Sequence, residues 1–124
     1  MGVKITITVS GLTLIAELND STVARAIEAK LPFDVRMSRW GDEYYGAIGV
    51  RMQSEPGERD VLAVGEMAYW PPGDALCLFF GPTPASTGIE PRAASDVVPL
   101  GRIESDTEKL KGLAGSVLAR LDRG

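Results

Sequence analysis

A short stretch at residues 38–45, SRWGDEYY, brings together residue types that can carry proton-transfer chemistry. Glu43 and Tyr45 are two residues apart, so on a β-strand a carboxyl and a phenol would lie side by side on one face. Arg36 and Trp40 fall on that same face if a two-residue Gly-Asp turn follows the tryptophan. Such an acid and phenol can act as a general acid–base pair. The simpler interpretation is a tight hairpin whose aromatic side chains cover the fold.

A second aromatic cluster lies in residues 67–84, which read MAYWPPGDALCLFFGPTP and hold the only cysteine of the chain. As a packed pair of strands, this segment would contribute its side chains to a core, with Leu76, Leu78 and Phe80 on one face and Cys77 and Phe79 on the other. As a pocket wall, it would offer Tyr69, Trp70 and Phe80 to a ligand, because ligand pockets are mostly apolar and aromatic. Both interpretations stay open.

Several kinds of chemistry are excluded by what the sequence lacks. The chain has no histidine, which removes Ser-His and Cys-His nucleophile pairs and histidine metal sites. Cys77 lies between two leucines and is predicted to be a small buried hydrophobe. The acids at 42–43 and 55–60 are interpreted as scattered surface charges, and residues 82–95 contain no phosphate-binding glycine motif. We therefore predict no metal site and no cofactor.

Length and composition indicate one ordinary folded domain spanning residues 1–124. The chain has 44% hydrophobic residues and a net charge of −4, which argues against a general nucleic-acid-binding surface. No window approaches the roughly 18 apolar residues that a membrane span needs. The first residues alternate between apolar and polar types, unlike a signal peptide. We therefore expect a cytoplasmic protein without a nucleic-acid or membrane partner.

The first thirty residues predict a hairpin followed by a helix. Apolar residues occupy odd positions in 3–9 and even positions in 12–18. This switch is what a two-residue Ser-Gly turn requires if both strands are to share one apolar face. Asp20 or Ser21 can then cap a helix, and Pro32 ends it.

The remaining chain predicts more strands than helices. A hairpin around Gly41-Asp42 is followed by a polar loop at 53–60 and by strands at 67–71 and 75–81. A loop at 82–95 then leads to a strand at 96–103. A short helix after a capping box at Ser105 and Glu108 precedes the last strand, at 116–121. About eight strands and two helices favour an all-β closed barrel, because closure removes exposed sheet edges.

Three segments resemble the cyclophilin-like domain family of small prokaryotic proteins. They are SRWGDEYYG at 38–46, VGEMAYWPPGDALCLFFGPTP at 64–84 and SDTEKLKGL at 105–113, and the resemblance covers nearly the whole chain. The family is related in fold to the cyclophilin peptidyl-prolyl isomerases. The resemblance therefore implies an all-β fold, a closed cyclophilin-like eight-stranded β-barrel with two short helices.

The resemblance to cyclophilins themselves implies a binding groove with altered residues. It places Tyr69 and Trp70 in the segment that binds the substrate backbone. Leu78 falls at a glutamine of the cyclophilin groove, and Phe80 at the phenylalanine of its proline pocket.

The catalytic groups of cyclophilins are not matched. Tyr45 falls where cyclophilins carry their catalytic arginine, and their histidine has no counterpart in this chain. Preorganised electrostatics is usually the largest catalytic contribution, so we expect no efficient isomerase activity. Arg36 or Arg51 would substitute only if it reached the same groove.

These observations predict a domain that binds a peptide or a small molecule in the cyclophilin-type groove. The predicted ligand-binding residues are Arg36, Glu43, Tyr45, Arg51, Tyr69, Trp70, Leu78 and Phe80. One alternative is an enzyme, either a prolyl isomerase or an acid–base enzyme that acts on a small metabolite through Glu43 and Tyr45. The other is a structural subunit whose aromatic face forms a homo-oligomer interface.

Overall fold

Nine antiparallel strands make up most of the regular structure in the computed structural model, which describes residues 2–53 and 55–124. The strands are β1 (Val3–Val9), β2 (Leu12–Leu18), β3 (Phe33–Arg39), β4 (Glu43–Ala47), β5 (Arg59–Val61), β6 (Glu66–Trp70), β7 (Ala75–Phe79), β8 (Arg92–Ile103) and β9 (Ser116–Arg123). Within the same residues there are one α-helix, α1 (Thr22–Lys30), and two 3-10 helices, Pro71–Gly73 and Glu108–Gly112.

Eight of these strands close into a ring. Their order is β2-β1-β9-β3-β4-β7-β6-β8, and a β2–β8 pairing joins the two ends. The remaining strand, β5, pairs with β8 outside the ring. The predicted all-β closed barrel is confirmed, and closure leaves each ring strand with a partner on both sides, so that no backbone edge is open.

The β1–β2 hairpin has the register that the alternating pattern predicts. Val9 lies opposite Leu12, and Val3 lies opposite Leu18. Ser10 and Gly11 in the turn both have positive φ angles, 48° and 81°, as the tightest hairpin turns require. The alternating apolar side chains, from Val3 to Val9 and from Leu12 to Leu18, therefore face the barrel interior, whereas Ile15 of β2 is exposed.

The β3–β4 hairpin turns at the predicted Gly-Asp pair. The Trp40 N–H donates to the Glu43 carbonyl over 2.8 Å, so two residues form the loop. Gly41 has a φ of 63°, and a Cβ there would lie 2.8 Å from the Thr83 Cα, so glycine is needed for two reasons. The turn sends the Tyr44 side chain into the interior and leaves Tyr45 on the outside.

Apolar side chains from the strands and the helices pack the barrel interior. Ser21 caps the start of helix α1, since its hydroxyl accepts from the Ala24 N–H over 3.1 Å. The helix buries Val23 and Ile27 in the interior cluster. Leu110 of the second 3-10 helix enters the same cluster from the β8–β9 connection. No helix among the described residues is long and apolar enough to cross a membrane. A cytoplasmic location stays a prediction.

Arg39 fastens the second 3-10 helix to the β3–β4 hairpin. Its guanidinium donates to the carbonyls of Lys111 and Leu113 over 2.8 and 3.2 Å and to the Asp42 carboxylate over 2.8 Å. The same group lies 5.1 Å from the centre of the Phe80 ring. A planar guanidinium suits this combination of fixed hydrogen bonds and ring stacking.

Three predictions about the elements were wrong. Residues 53–60 contain the start of β5, and β8 begins at Arg92 within the predicted 82–95 loop. The predicted second helix is a single 3-10 segment, and Ser105 does not cap it. Its hydroxyl instead accepts from the Ile15 N–H of β2 over 2.8 Å, so a tertiary contact replaces the local capping box.

Asp74 ties the β6–β7 turn to the chain that follows β4. Its carboxylate accepts hydrogen bonds from the N–H groups of Gly49 and Arg51, each over 2.7 Å, and from the Tyr69 hydroxyl over 2.6 Å. The Tyr69 hydroxyl in turn accepts from the Met52 N–H over 3.0 Å. Burial and the hydrogen bond to Asp74 raise the pKa of Tyr69 to about 12, and the hydrogen bond from the Met52 N–H opposes the rise. Residues 48–52 are therefore held by one carboxylate and one buried phenol.

We expect Tyr69→Phe to lower the free energy of unfolding by about 1–2 kcal/mol, because it removes the part-buried hydrogen bonds that join the Tyr69 hydroxyl to Asp74 and to the Met52 N–H. Urea denaturation followed by circular dichroism measures this. Tyr45→Phe is the matched control, because no hydrogen bond of the Tyr45 hydroxyl is seen among the described residues, and it should change stability by less than about 0.5 kcal/mol. Equal effects of the two variants would contradict this account.

Candidate functional site

A second apolar cluster lies on the outer face of β6 and β7. Successive strand residues point to opposite faces, so Cys77 and Phe79 point outward while Leu76 and Leu78 point into the barrel. The outer cluster consists of Leu62, Ala68, Ala75, Cys77, Phe79, Ala93 and Val97, with Trp70 packed against it. An apolar outer face of a sheet is buried only where other parts of the chain pack over it.

The cover, which we call the flap, consists of β5 and residues 92–97 of β8. Arg59 of β5 forms an ion pair with Glu66 of β6, and Arg92 lies 3.1 Å from the Asp60 carboxylate. The Trp70 indole N–H donates to the Ser95 hydroxyl over 2.7 Å. The contacts to Glu66 and Trp70 hold the flap against the barrel wall, and the Arg92–Asp60 pair joins the two parts of the flap.

A cavity of about 260 Å³ opens between the flap and β4. Its lining consists of Trp40, Glu43, Tyr45, Trp70, Cys77, Ala93, Ala94 and Val97. Strand register explains why they meet: Tyr45 lies opposite Cys77 on β7, and β6 lies on the other side of β7. Tyr45 and Ala94 are exposed, so solvent reaches the cavity.

Glu43 is the one carboxylic acid in this apolar lining. The residue is 4% exposed, and its Oε1 atom has no hydrogen-bond partner in the described structure. Burial raises the pKa of its carboxyl to about 7, and the neighbouring Cys77 thiol opposes the rise. A buried acid without a compensating charge resists ionisation, so Glu43 can take up or give a proton near neutral pH.

Cys77 is buried, as predicted, and is not an activated nucleophile. It is 2% exposed, and its thiol lies beside the Glu43 carboxyl. Burial and that acid raise the pKa of the thiol well above its ordinary value. The thiolate is the reactive form of cysteine, so Cys77 serves as a small apolar wall of the cavity.

The structure brings three of the predicted site residues together. Glu43, Tyr45 and Trp70 line the cavity, and Trp40 from the same predicted cluster joins them. Tyr45 is 38% exposed and stands at the opening, while Glu43 is almost fully buried.

Three other predicted residues lie in the barrel interior instead. Tyr69, Leu78 and Phe80 are each at most 1% exposed and belong to the interior cluster. Their neighbours along the chain, Trp70 and Cys77, face the cavity. The alignment with cyclophilin motifs selected strands that border the cavity, and the alternation of faces separates these three side chains from it.

The two predicted arginines lie outside the cavity lining. Arg36 is exposed on β3, opposite Leu118 of β9. Arg51 is exposed, and its backbone N–H binds Asp74. Neither guanidinium is among the groups that line the cavity.

Sequence reasoning missed the contribution of β8 to the site. Ala93, Ala94 and Val97 line the cavity, but they lie in or beside a stretch that reads as a loop. Small residues carry no pattern that predicts a pocket wall. The position of Cys77 in the cavity wall could have been predicted from the strand alternation, which places it on the same face as Trp70.

The site is an apolar cavity whose described lining includes one carboxylic acid. No group of three or more acidic, cysteine or histidine side chains in residues 2–53 and 55–124 is placed to hold a metal ion. The cavity can bind an apolar group of a ligand, and Glu43 can exchange one proton or pair with one positive charge.

Comparison with known proteins agrees with the fold. The family model described as cyclophilin-like matches residues 3–120. The solution structure of a hypothetical protein from Archaeoglobus fulgidus superposes with a TM-score of 0.83 at 36% identity, covering 99% of this chain and 95% of that one. No curated protein matches the sequence. The chain therefore belongs to the cyclophilin-like family.

Proposed function

We propose that this protein binds a compact small molecule in the cavity between the flap and β4. The observation that carries the proposal is an apolar cavity of about 260 Å³ with a single buried acid whose Oε1 atom is unpaired. Trp40, Tyr45 and Trp70 would form the walls, and Glu43 would orient the ligand. Apolar walls with a few polar groups are the usual composition of a ligand pocket.

A small molecule is favoured over a peptide segment by the size of the cavity. Pockets for drug-sized ligands measure roughly 300–1,000 Å³, and this cavity lies just below that range. It accommodates one compact molecule or one side chain, whereas a peptide backbone would have to run outside it.

Prolyl isomerisation is disfavoured by the charge of the lining. Catalysis of amide rotation needs a group that stabilises the twisted amide, which the cyclophilin resemblance assigns to a cationic donor. Among the described residues that line the cavity there is no arginine or lysine. Arg39, at the end of β3, donates its hydrogen bonds to Asp42 and to backbone carbonyls.

An acid–base enzyme is the second candidate, and one observation favours it. A general acid–base group works best with a pKa near the working pH, and the pKa of Glu43 is about 7. Tyr45 stands beside it at the cavity opening. The homo-oligomer alternative stays a prediction, but Tyr69 is buried within its own chain and is not available for such an interface.

The two tryptophans give a direct test of binding. They are the only tryptophans of the chain, and both line the cavity, so both indole N–H signals in a proton–nitrogen NMR spectrum report on its occupancy. We expect benzyl alcohol, a compact uncharged probe, to shift both signals saturably. The substitution Ala94→Phe fills the opening and should weaken binding by at least about tenfold, or 1.4 kcal/mol.

Ala47→Phe is the matched control. Ala47 is exposed on β4 and does not line the cavity, and a strand surface accepts phenylalanine well. It should leave the affinity for benzyl alcohol unchanged. Indole signals that stay fixed up to the solubility limit of the probe, or shifts that Ala94→Phe does not reduce, would contradict the proposal.

The raised pKa of Glu43 predicts a pH-dependent stability difference from Glu43→Gln. The folded-state pKa lies above the ordinary value of 4.5, so the stability of the natural chain relative to this variant is greatest below pH 4.5. This stability difference falls as the pH rises to 7, and it stays constant above pH 7. A shift of this size corresponds to about 3 kcal/mol.

Urea denaturation of the natural chain and of Glu43→Gln at pH 5 and pH 8 measures how their stability difference changes with pH. Other titrating carboxyls, such as Asp74, contribute equally to both chains and cancel. A difference between the two chains that does not change with pH would show that Glu43 is ordinarily solvated.

We also expect no acceleration of prolyl isomerisation in NMR exchange measurements on an Ala-Pro peptide. Acceleration that Ala94→Phe abolishes and Ala47→Phe preserves would place isomerase activity in this cavity and overturn the binding proposal. Ala94→Phe is the appropriate probe here, because Phe80 is fully buried in the barrel interior and its truncation would disturb the fold.

A further inference from the structure

We propose that the ligand of this cavity carries a positive charge, and specifically that it is a compact organic ammonium whose charged group lies against Glu43. The inference rests on the proposed function, and it names the class of molecule bound. It follows from the unpaired acid, from the aromatic walls and from the absence of an internal cation among the described lining residues.

The unpaired acid is the first argument. Glu43 is only 4% exposed, and its Oε1 atom has no hydrogen-bond partner among the described residues. A buried polar group without a partner is costly, and a buried charge without a counter-charge costs more. A ligand that brings both a hydrogen-bond donor and a positive charge removes both costs, whereas an uncharged donor removes only the first.

The aromatic walls are the second argument. Trp40, Tyr45 and Trp70 line the cavity around this acid. Aromatic ring faces attract cations, and recognition of organic ammonium groups is the best-known functional use of such surroundings. A neutral ligand that accepted a hydrogen bond from protonated Glu43 would bring an electron-rich oxygen towards these rings, which is less favourable.

The third argument is that none of the described residues lining the cavity supplies the missing charge. The cavity lining contains no lysine or arginine. The nearby Arg39 pairs with Asp42 at 2.8 Å, and Arg59 of the flap pairs with Glu66. The net charge of −4 further favours the approach of a cation.

The test compares three probes of similar shape: benzylamine, which is a cation at pH 8, benzyl alcohol, which is neutral, and benzoate, which is an anion. Binding is followed by the two indole signals. We expect benzylamine to bind at least about tenfold more tightly than benzyl alcohol, and benzoate to bind more weakly than both.

Glu43→Gln removes the charge and keeps the shape of the side chain. It should abolish the preference for benzylamine over benzyl alcohol, whereas Ala47→Phe, which lies outside the cavity lining, should retain that preference. Unchanged amide dispersion in the proton–nitrogen spectrum shows that the Glu43→Gln variant remains folded. A preference for benzylamine that survives in Glu43→Gln would overturn the inference.

The outcomes separate this inference from the proposed function. If benzyl alcohol binds as well as benzylamine, the cavity is a ligand site but its ligand is not a cation, and the inference is wrong. If none of the three probes shifts the indole signals, the proposed function fails as well. Benzylamine binding that Ala94→Phe does not weaken would place the ammonium elsewhere on the surface and also overturn the inference.

The pH dependence gives an independent readout. The titratable side chains that line the cavity are Glu43 on β4, Tyr45 on β4 and Cys77 on β7, and the remaining lining groups are indoles and aliphatic side chains. Because only ionised Glu43 pairs with the ammonium, the apparent affinity for benzylamine should rise about tenfold between pH 6 and pH 8. A fall over this range would indicate that protonated Glu43 donates to the ligand, contrary to the inference.

An ammonium can belong to a free amine or to a lysine side chain of a peptide. Butylamine and N-acetyl-lysine N-methylamide carry the same charged group without and with a peptide backbone. Tighter binding of butylamine assigns the site to a free small molecule, and tighter binding of the lysine derivative assigns it to a peptide side chain. Binding of neither, together with tight binding of benzyl alcohol, would contradict the inference.

Discussion

The closed ring of eight strands and its filled interior are the constraint on which the rest of the structure depends. The β2–β8 pairing leaves no open edge in the ring, and side chains such as Ile5, Tyr69 and Phe80 are fully buried inside it. A barrel of eight strands has room for its own side chains and little else. The cavity therefore lies on the outer face, where the flap creates a second apolar layer over β6 and β7.

This outer layer explains why one acid can have an unusual environment. On β4 the alternation of faces directs Tyr44 inward and both Glu43 and Tyr45 outward. The outward direction would normally lead to water, but the flap and the two tryptophans enclose Glu43. An uncompensated buried acid lowers stability at neutral pH, and such costs are typical of functional sites. Packing gives no reason for an acid here, whereas pairing with a cationic ligand does.

The sequence predicted much of the fold and less of the site, for physical reasons that particular residues illustrate. Alternation between apolar and polar residues determined the β1–β2 register, since a slip of one residue would expose the whole apolar face. The 3-10 segment at Glu108–Gly112 was predicted as a helix because local patterns do not reveal that Ser105 bonds to β2. Glu43, Tyr45 and Trp70 were identified because acids and aromatics stand out in a sequence. Ala93 and Ala94 were not, because the flap that places them at the cavity is a tertiary arrangement of small residues.

The most direct test of this account is a carbon-13 NMR titration of the Glu43 side-chain carboxyl, assigned by the loss of its signal in Glu43→Gln. The account predicts a midpoint near pH 7 and a lower midpoint when benzylamine is present, because a bound cation stabilises the ionised form. A midpoint near the ordinary value of 4.5 that benzylamine does not change would contradict it, since Glu43 would then be an ordinary solvated acid.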